Sequence, residues 1–193
     1  MFNTNRIKKS IEEKNRQNPQ YDEQELIGNI KKSCPKSFQQ IFMNYYETLY
    51  RFIWLRTYNH ELARDILQDV FIRVWDNRHR LDINKSFKAY LYQISNNLVI
   101  DILRKNKTKE KMMRINQSLN YYESEDQYYA SIDIQNAINK LPEKFKSVVI
   151  LSRFEGLNYI EIAEICNVSF QTVSYRLNKA LRLMNKYLSE KTD

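Results

Sequence analysis

Between Phe170 and Leu188, the residues equipped for chemistry are hydrogen-bonding and cationic: Gln171, Ser174, Tyr175, Asn178, Lys179 and Arg182. Their spacing places them at successive turns on one side of a helix. Such side chains reach base edges and phosphates when a helix lies in a major groove. The chemistry is recognition, not catalysis. His60 and His79 have no partner at helical spacing, so neither a metal site nor a general base is expected. Two isolated glycines cannot build a phosphate-cradling loop, and no nucleophile elbow or paired-acid arrangement occurs. The reading is of a protein that is not an enzyme and needs no cofactor.

The elements that must position this face are legible around it. Asn158 is a helix N-cap with Glu161 three residues on, and Leu157 and Ile162 occupy the two positions of a hydrophobic staple. Asn167 can adopt the left-handed conformation that ends that helix, and Ser169 can cap the next, with Val168 and Val173 as a second staple. A second helix therefore starts at Phe170. Its buried stripe is Val173, Leu177, Ala180, Leu181, Met184 and Leu188.

With 193 residues, two glycines and three prolines, the chain predicts long helices with short connections, not a turn-rich sheet protein. A formal charge of +8 favours a polyanionic partner, nucleic acid before a membrane surface. Cys34 and Cys166 are far apart and lack the spacing of a zinc site, so both read as reduced packing residues. No apolar run is long enough to span a bilayer, and the polar N-terminus lacks the core of a signal sequence. A cytoplasmic location is expected.

The chain divides into four parts: a mobile tail at 1–20, a helical domain at 21–107, a flexible linker at 108–131 and a second helical domain at 132–189. Leu26, Ile27 and Ile30 make a short amphipathic element, and Phe38, Ile41, Phe42, Tyr45, Leu49, Phe52 and Ile53 line a helix reaching about Tyr58. The next helix buries Ala63, Ile66, Leu67, Val70, Phe71 and Val74. Its other faces carry Glu61, Asp65, Gln68, Asp69 and Asp76, an acidic surface in a basic protein. Such a surface suits docking onto a basic protein and would repel DNA.

After the polar connector Asn77 to Lys85, Ser86 caps a helix whose apolar set is Phe87, Tyr90, Leu91, Ile94, Leu98 and Ile102, with Tyr92, Asn96, Asn97, Asp101 and Arg104 on its remaining faces. The run from Arg104 to Arg114, with six Lys/Arg and one Glu, reads either as a solvated, helix-ending linker or, more sharply, as a phosphate contact. In the second domain, Ile132 to Lys140 reads as a short helix. Pro142 opens the next helix and Gly156 caps its end.

Two motif sets carry a family resemblance. Ala63-Arg64-Asp65-Ile66-Leu67-Gln68-Asp69-Val70-Phe71 with Trp75, then Tyr90-Leu91, Ile94, Asn97, Asp101 and Arg104, looks like sigma region 2. Leu141-Pro142, Glu155-Gly156-Leu157, Glu161-Ile162-Ala163, Ser169, Thr172-Val173 and Arg176-Leu177 with Ala180 looks like region 4. The chain thus resembles the extracytoplasmic-function (ECF) sigma factors of bacterial RNA polymerase, within the sigma-70 family. It departs at Lys146, Asn167 and Phe170-Gln171, where Arg, Gly and smaller residues are frequent. Those departures bear on the preferred promoter sequence.

The resemblance implies an all-α fold of two small helical domains, a region 2 bundle and a region 4 helix-turn-helix. Asp65, Gln68, Asp69 and Trp75 would dock on the coiled coil of the largest subunit of core RNA polymerase, with Phe71 in the core beneath. Tyr92, Asn96, Asn97, Asp101, Arg104 and Lys105 would meet the promoter −10 element and help to melt it. In the second domain, Ser174, Tyr175, Asn178 and Lys179 would read −35 base edges, with Gln171, Thr172, Arg176 and Arg182 on phosphates. An anti-sigma partner is implied as well. Two other readings compete: a helix-turn-helix transcriptional regulator that never associates with polymerase, and a basic helical interaction protein.

Overall fold

The computed structural model describes residues 22–112 and 129–189; the tail expected at 1–20 and most of the expected linker lie outside the described residues. Every regular element among the described residues is helical, in keeping with the scarcity of helix breakers. In order they are α1 (Glu23–Lys31), α2 (Pro35–Thr57), α3 (His60–Asp76), a 3-10 turn (Arg78–Arg80), α4 (Phe87–Met112), α5 (Tyr129–Asn139), α6 (Glu143–Arg153), α7 (Tyr159–Cys166) and α8 (Phe170–Ser189). Helix α4 continues past Lys107 into the expected linker, and Pro142 caps α6 instead of opening it.

Local chemistry sets these boundaries. Asn59 Oδ1 accepts the Leu62 amide at 2.9 Å and starts α3, while Tyr58 takes a left-handed φ of 52° to end α2. Ser86 Oγ accepts the Ala89 amide at 3.1 Å and starts α4. All six residues of the α3 apolar stripe are buried. Truncating one of them, such as Leu67→Ala, would cost about 2–5 kcal/mol through lost transfer energy and the cavity left behind.

Helices α1 to α4 form the first module and α5 to α8 the second. The two modules are packed together: α6 lies against α2 and α7 against α4, and their buried apolar residues form one continuous cluster. This contact covers a second side of α4. Beyond its expected stripe, Ala89, Tyr92, Ser95, Asn96 and Val99 are buried as well.

Candidate nucleic-acid interface

The helix-turn-helix is built by its caps. Asn158 Oδ1 accepts the amides of Ile160 and Glu161 at 2.9 and 3.1 Å, and Glu161 Oε2 accepts the Asn158 amide at 2.8 Å, so both directions of the capping box are closed. Asn167 ends α7 at φ 51° and ψ 54°, and Gly156 at φ +67° makes the preceding turn. Ser169 Oγ accepts the Thr172 amide at 3.2 Å and starts α8. Helix α8 buries Val173, Leu177, Ala180 and Met184. Gln171, Tyr175, Asn178, Lys179 and Arg182 are exposed, and Thr172, Ser174 and Arg176 are half-buried on the flanks. The Thr172 hydroxyl is 2.9 Å from that of Ser169, so it supports the cap as well as facing outward.

In the first module, Asp65, Gln68 and Asp69 are exposed on α3, and Trp75 is half-buried at its end. Trp75 is held firmly. The Arg78 guanidinium lies 4.6 Å over its ring, and Phe38 packs against it at 4.9 Å. Gln68 and Trp75 border a largely apolar groove of about 590 Å³ between α2 and α3, lined also by Phe38, Phe42, Phe71 and Ile72. Ile72 is 48% exposed. The apolar stripe does not predict its place there; an aliphatic residue off that stripe was the available signal.

Helix α4 requires a correction. Tyr92 and Asn96 were expected on an outward face, yet they are 0% and 3% exposed. Tyr92 packs edge-on against Phe52 and donates to Glu155 Oε2 at 2.6 Å. Asn96 Oδ1 accepts from Arg56 Nη1 at 2.7 Å. Both side chains therefore serve the contact within and between modules. Asn97, Asp101, Arg104 and Lys105 are exposed, and Asp101 and Arg104 approach to 4.0 Å. At that separation and exposure the pair adds little stability and leaves both groups accessible to solvent.

The contact between modules is made by groups that composition does not reveal. Arg51 reaches both Glu155 oxygens through Nη2, at 3.0 and 3.1 Å, and donates to Oε1 through Nε at 3.2 Å. The Glu155 side chain is only 3% exposed. Arg56, fully buried, donates to Glu143 Oε2 at 3.3 Å. Burial pulls the Arg56 guanidinium below its ordinary value, opposed by Glu143. Burial first, and the Glu155 carboxylate second, push the Tyr92 phenol up. A charged residue on the buried side of α2, Arg56, was the one sign of this network in the sequence.

Neither a metal-ligating cluster nor a helix long and apolar enough to cross a membrane occurs among the described residues. Cys34 and Cys166 are free thiols.

The comparisons with known proteins agree with the two-module geometry. Residues 41–109 match the model of sigma-70 region 2, and residues 131–184 that of sigma-70 region 4. The ECF RNA polymerase sigma factor SigW of Bacillus subtilis (strain 168) is 30% identical over 178 residues, which is 85% of this chain and 95% of that protein. RNA polymerase sigma factor SigV of the same organism is 29% identical over 147 residues, covering 75% and 86%. Two solved structures share the fold: the sigma factor RpoE in complex with the anti-sigma factor NepR from Bartonella quintana, at TM-score 0.69 and 22% identity over 80% of this chain and 98% of that one, and CnrH in complex with the cytosolic domain of CnrY, at TM-score 0.68 and 17% identity over 87% and 97%. The chain belongs to the ECF RNA polymerase sigma factors. Its function is in transcription initiation, and the reading as a regulator independent of polymerase is not favoured.

Proposed function

We propose that this sigma factor divides its work between two charge-segregated surfaces. Asp65, Gln68, Asp69 and Trp75 on α3, with the apolar groove beside them, dock on the coiled coil of the largest subunit of core RNA polymerase. Asp65 and Asp69 stand exposed on the helix that walls an apolar groove, whose one charged lining residue is Arg64; carboxylates beside apolar surface suit a basic amphipathic partner and disfavour DNA. Residues 21–107 act as the docking and −10 module, and 132–189 as the −35 module.

On α4 of the first module, the exposed Asn97, Asp101, Arg104 and Lys105 meet the −10 element. Unstacking and unpairing a base costs a few kcal/mol, which contacts to the displaced base and backbone must offset. Asn97 and Asp101 supply hydrogen-bonding groups for a base, and Arg104 and Lys105 supply charge for phosphates. In the packed arrangement Tyr92 and Asn96 are not available for this role.

Helix α8 enters the −35 major groove. Ser174, Tyr175, Asn178 and Lys179 read base edges, with Gln171, Thr172, Arg176 and Arg182 on phosphates. The protein positions and melts DNA in the cytoplasm; it is not an enzyme, and polymerase supplies the catalysis. The two solved neighbours are complexes with an anti-sigma factor and with a cytosolic domain, which supports an inhibitory partner of that kind here.

The observation that carries this reading is the opposition between an α3 face bearing Asp65 and Asp69 and an α8 face bearing Lys179 and Arg182. The test is transcription in vitro from a promoter mapped by the 5′ ends of transcripts that rise on overexpression. The full chain added to core polymerase should start RNA at the mapped position. No transcript unless another sigma is present refutes the reading.

A further inference from the structure

Large apolar side chains stand at the surface where the two helices of the helix-turn-helix begin. Phe170, the first residue of α8, is 51% exposed, and Ile160 in the first turn of α7 is 72% exposed. The Tyr159 ring lies 5.5 Å from that of Phe170 at an interplanar angle of 48°. Helix α8 packs on its module through Val173, Leu177, Ala180 and Met184, so Phe170 is not needed for the core. A ring of this size left half in water has a cost, since its apolar surface remains hydrated.

The N-terminal residues of a recognition helix are the ones that contact base edges. A phenyl ring has neither donor nor acceptor and cannot read the amino, carbonyl or N7 groups of a base. The apolar group displayed in the major groove is the thymine 5-methyl. The Tyr159 ring behind Phe170 restricts its rotamers before DNA arrives, which lowers the entropy lost on contact.

We propose that Phe170, braced by Tyr159, is a specificity-determining residue that packs on a thymine 5-methyl at one end of the −35 element. This rests on the reading of α8 as the −35 recognition helix. Phe170 selects thymine by apolar contact alone.

The test uses holoenzyme, assembled from the full chain and core polymerase, on duplexes carrying the mapped promoter. Each −35 thymine, on either strand, is replaced singly by deoxyuridine, which removes only the methyl group. At one position the wild-type holoenzyme should bind about fourfold more weakly, the scale of one buried methyl-sized group. The Phe170→Ser holoenzyme should lose that penalty and keep the others, and Phe170→Leu should retain part of it. Equal penalties in wild type and Phe170→Ser, or no thymine whose methyl matters, overturn the proposal. Weaker core binding by Phe170→Ser with unchanged thymine dependence also overturns it, assigning the patch to a protein contact. If scrambling the whole −35 element leaves wild-type binding unchanged, the α8 reading itself has failed.

Discussion

The Tyr92 phenol on α4 of the first module donates a 2.6 Å hydrogen bond to Glu155 Oε2 in the second. The same carboxylate receives Arg51 from α2, so a single buried acid joins two helices of one module to the loop that leads into the helix-turn-helix of the other. Removing only the hydroxyl, in Tyr92→Phe, leaves the ring against Phe52 and one Glu155 oxygen with fewer partners. The expected cost is about 1.5 kcal/mol, as for a hydrogen bond to a charged group. Thermal unfolding followed by circular dichroism should fall by roughly 3–6 °C. An unchanged midpoint would mean that the bond contributes nothing to the packed arrangement.

The same phenol gives a pH signature. Its pKa is raised in the folded chain by burial and by Glu155, so its contribution is complete below the ordinary tyrosine value of 10.0 and is lost as pH rises beyond it. Tyr45, raised by burial and by its bond to Glu23, acts in the same direction. Denaturant titrations of the wild type should therefore show falling stability above about pH 10. Tyr92→Phe should show a shallower alkaline decline, because one of the responsible groups is gone. Identical slopes would remove Tyr92 from the set.

Arg56 is a buried cation held by Asn96 and Glu143, and among the described residues its Nε has no hydrogen-bond partner. Glu143→Ala takes away the counter-charge, although Asn96 remains. The loss should be about 3 kcal/mol, the scale for stranding one member of a buried pair. Combining it with Arg56→Met should restore part of that stability, since a well-packed apolar replacement carries no desolvation cost, while the buried Lys146, 3.1 Å from Glu143 in the wild type, lacks its carboxylate in both variants. Equal destabilisation in the single and double variants would show that the charge is not what Glu143 balances.

The phosphate contacts proposed for α8 can be tested through salt dependence. Arg176→Ala or Arg182→Ala should weaken −35 duplex binding by holoenzyme for all sequences alike. Each should reduce the slope of log affinity against log salt by about 0.9 per lost contact. A slope equal to the wild type excludes that residue from the phosphate set.

What could be read in the sequence was whatever is decided within a few residues. The capping box at Asn158 and Glu161, the left-handed Asn167, the Ser169 cap and the six-residue stripe of α3 all depend on spacings of two to five positions, and the structure has each of them. Tyr92 and Asn96 were misplaced for the converse reason. Their partners are Glu155 and Arg56, separated from them by 63 and 40 positions, and nothing local distinguishes a polar residue facing solvent from one facing a distant carboxylate or guanidinium. The packing of one module on the other is also a property of α6 and α7 meeting α2 and α4, which no single helix encodes. Exposed Phe170 and Ile72 were legible only as exceptions to the apolar periodicity.

The acidic face of α3, proposed as a protein-docking surface, is tested by retention of the chain on immobilised core polymerase. Wild-type protein should be retained. Asp65→Arg combined with Asp69→Arg should not, while its unfolding free energy stays within about 1 kcal/mol of wild type, because both side chains are exposed. Retention of the folded double variant at the wild-type level would contradict the account.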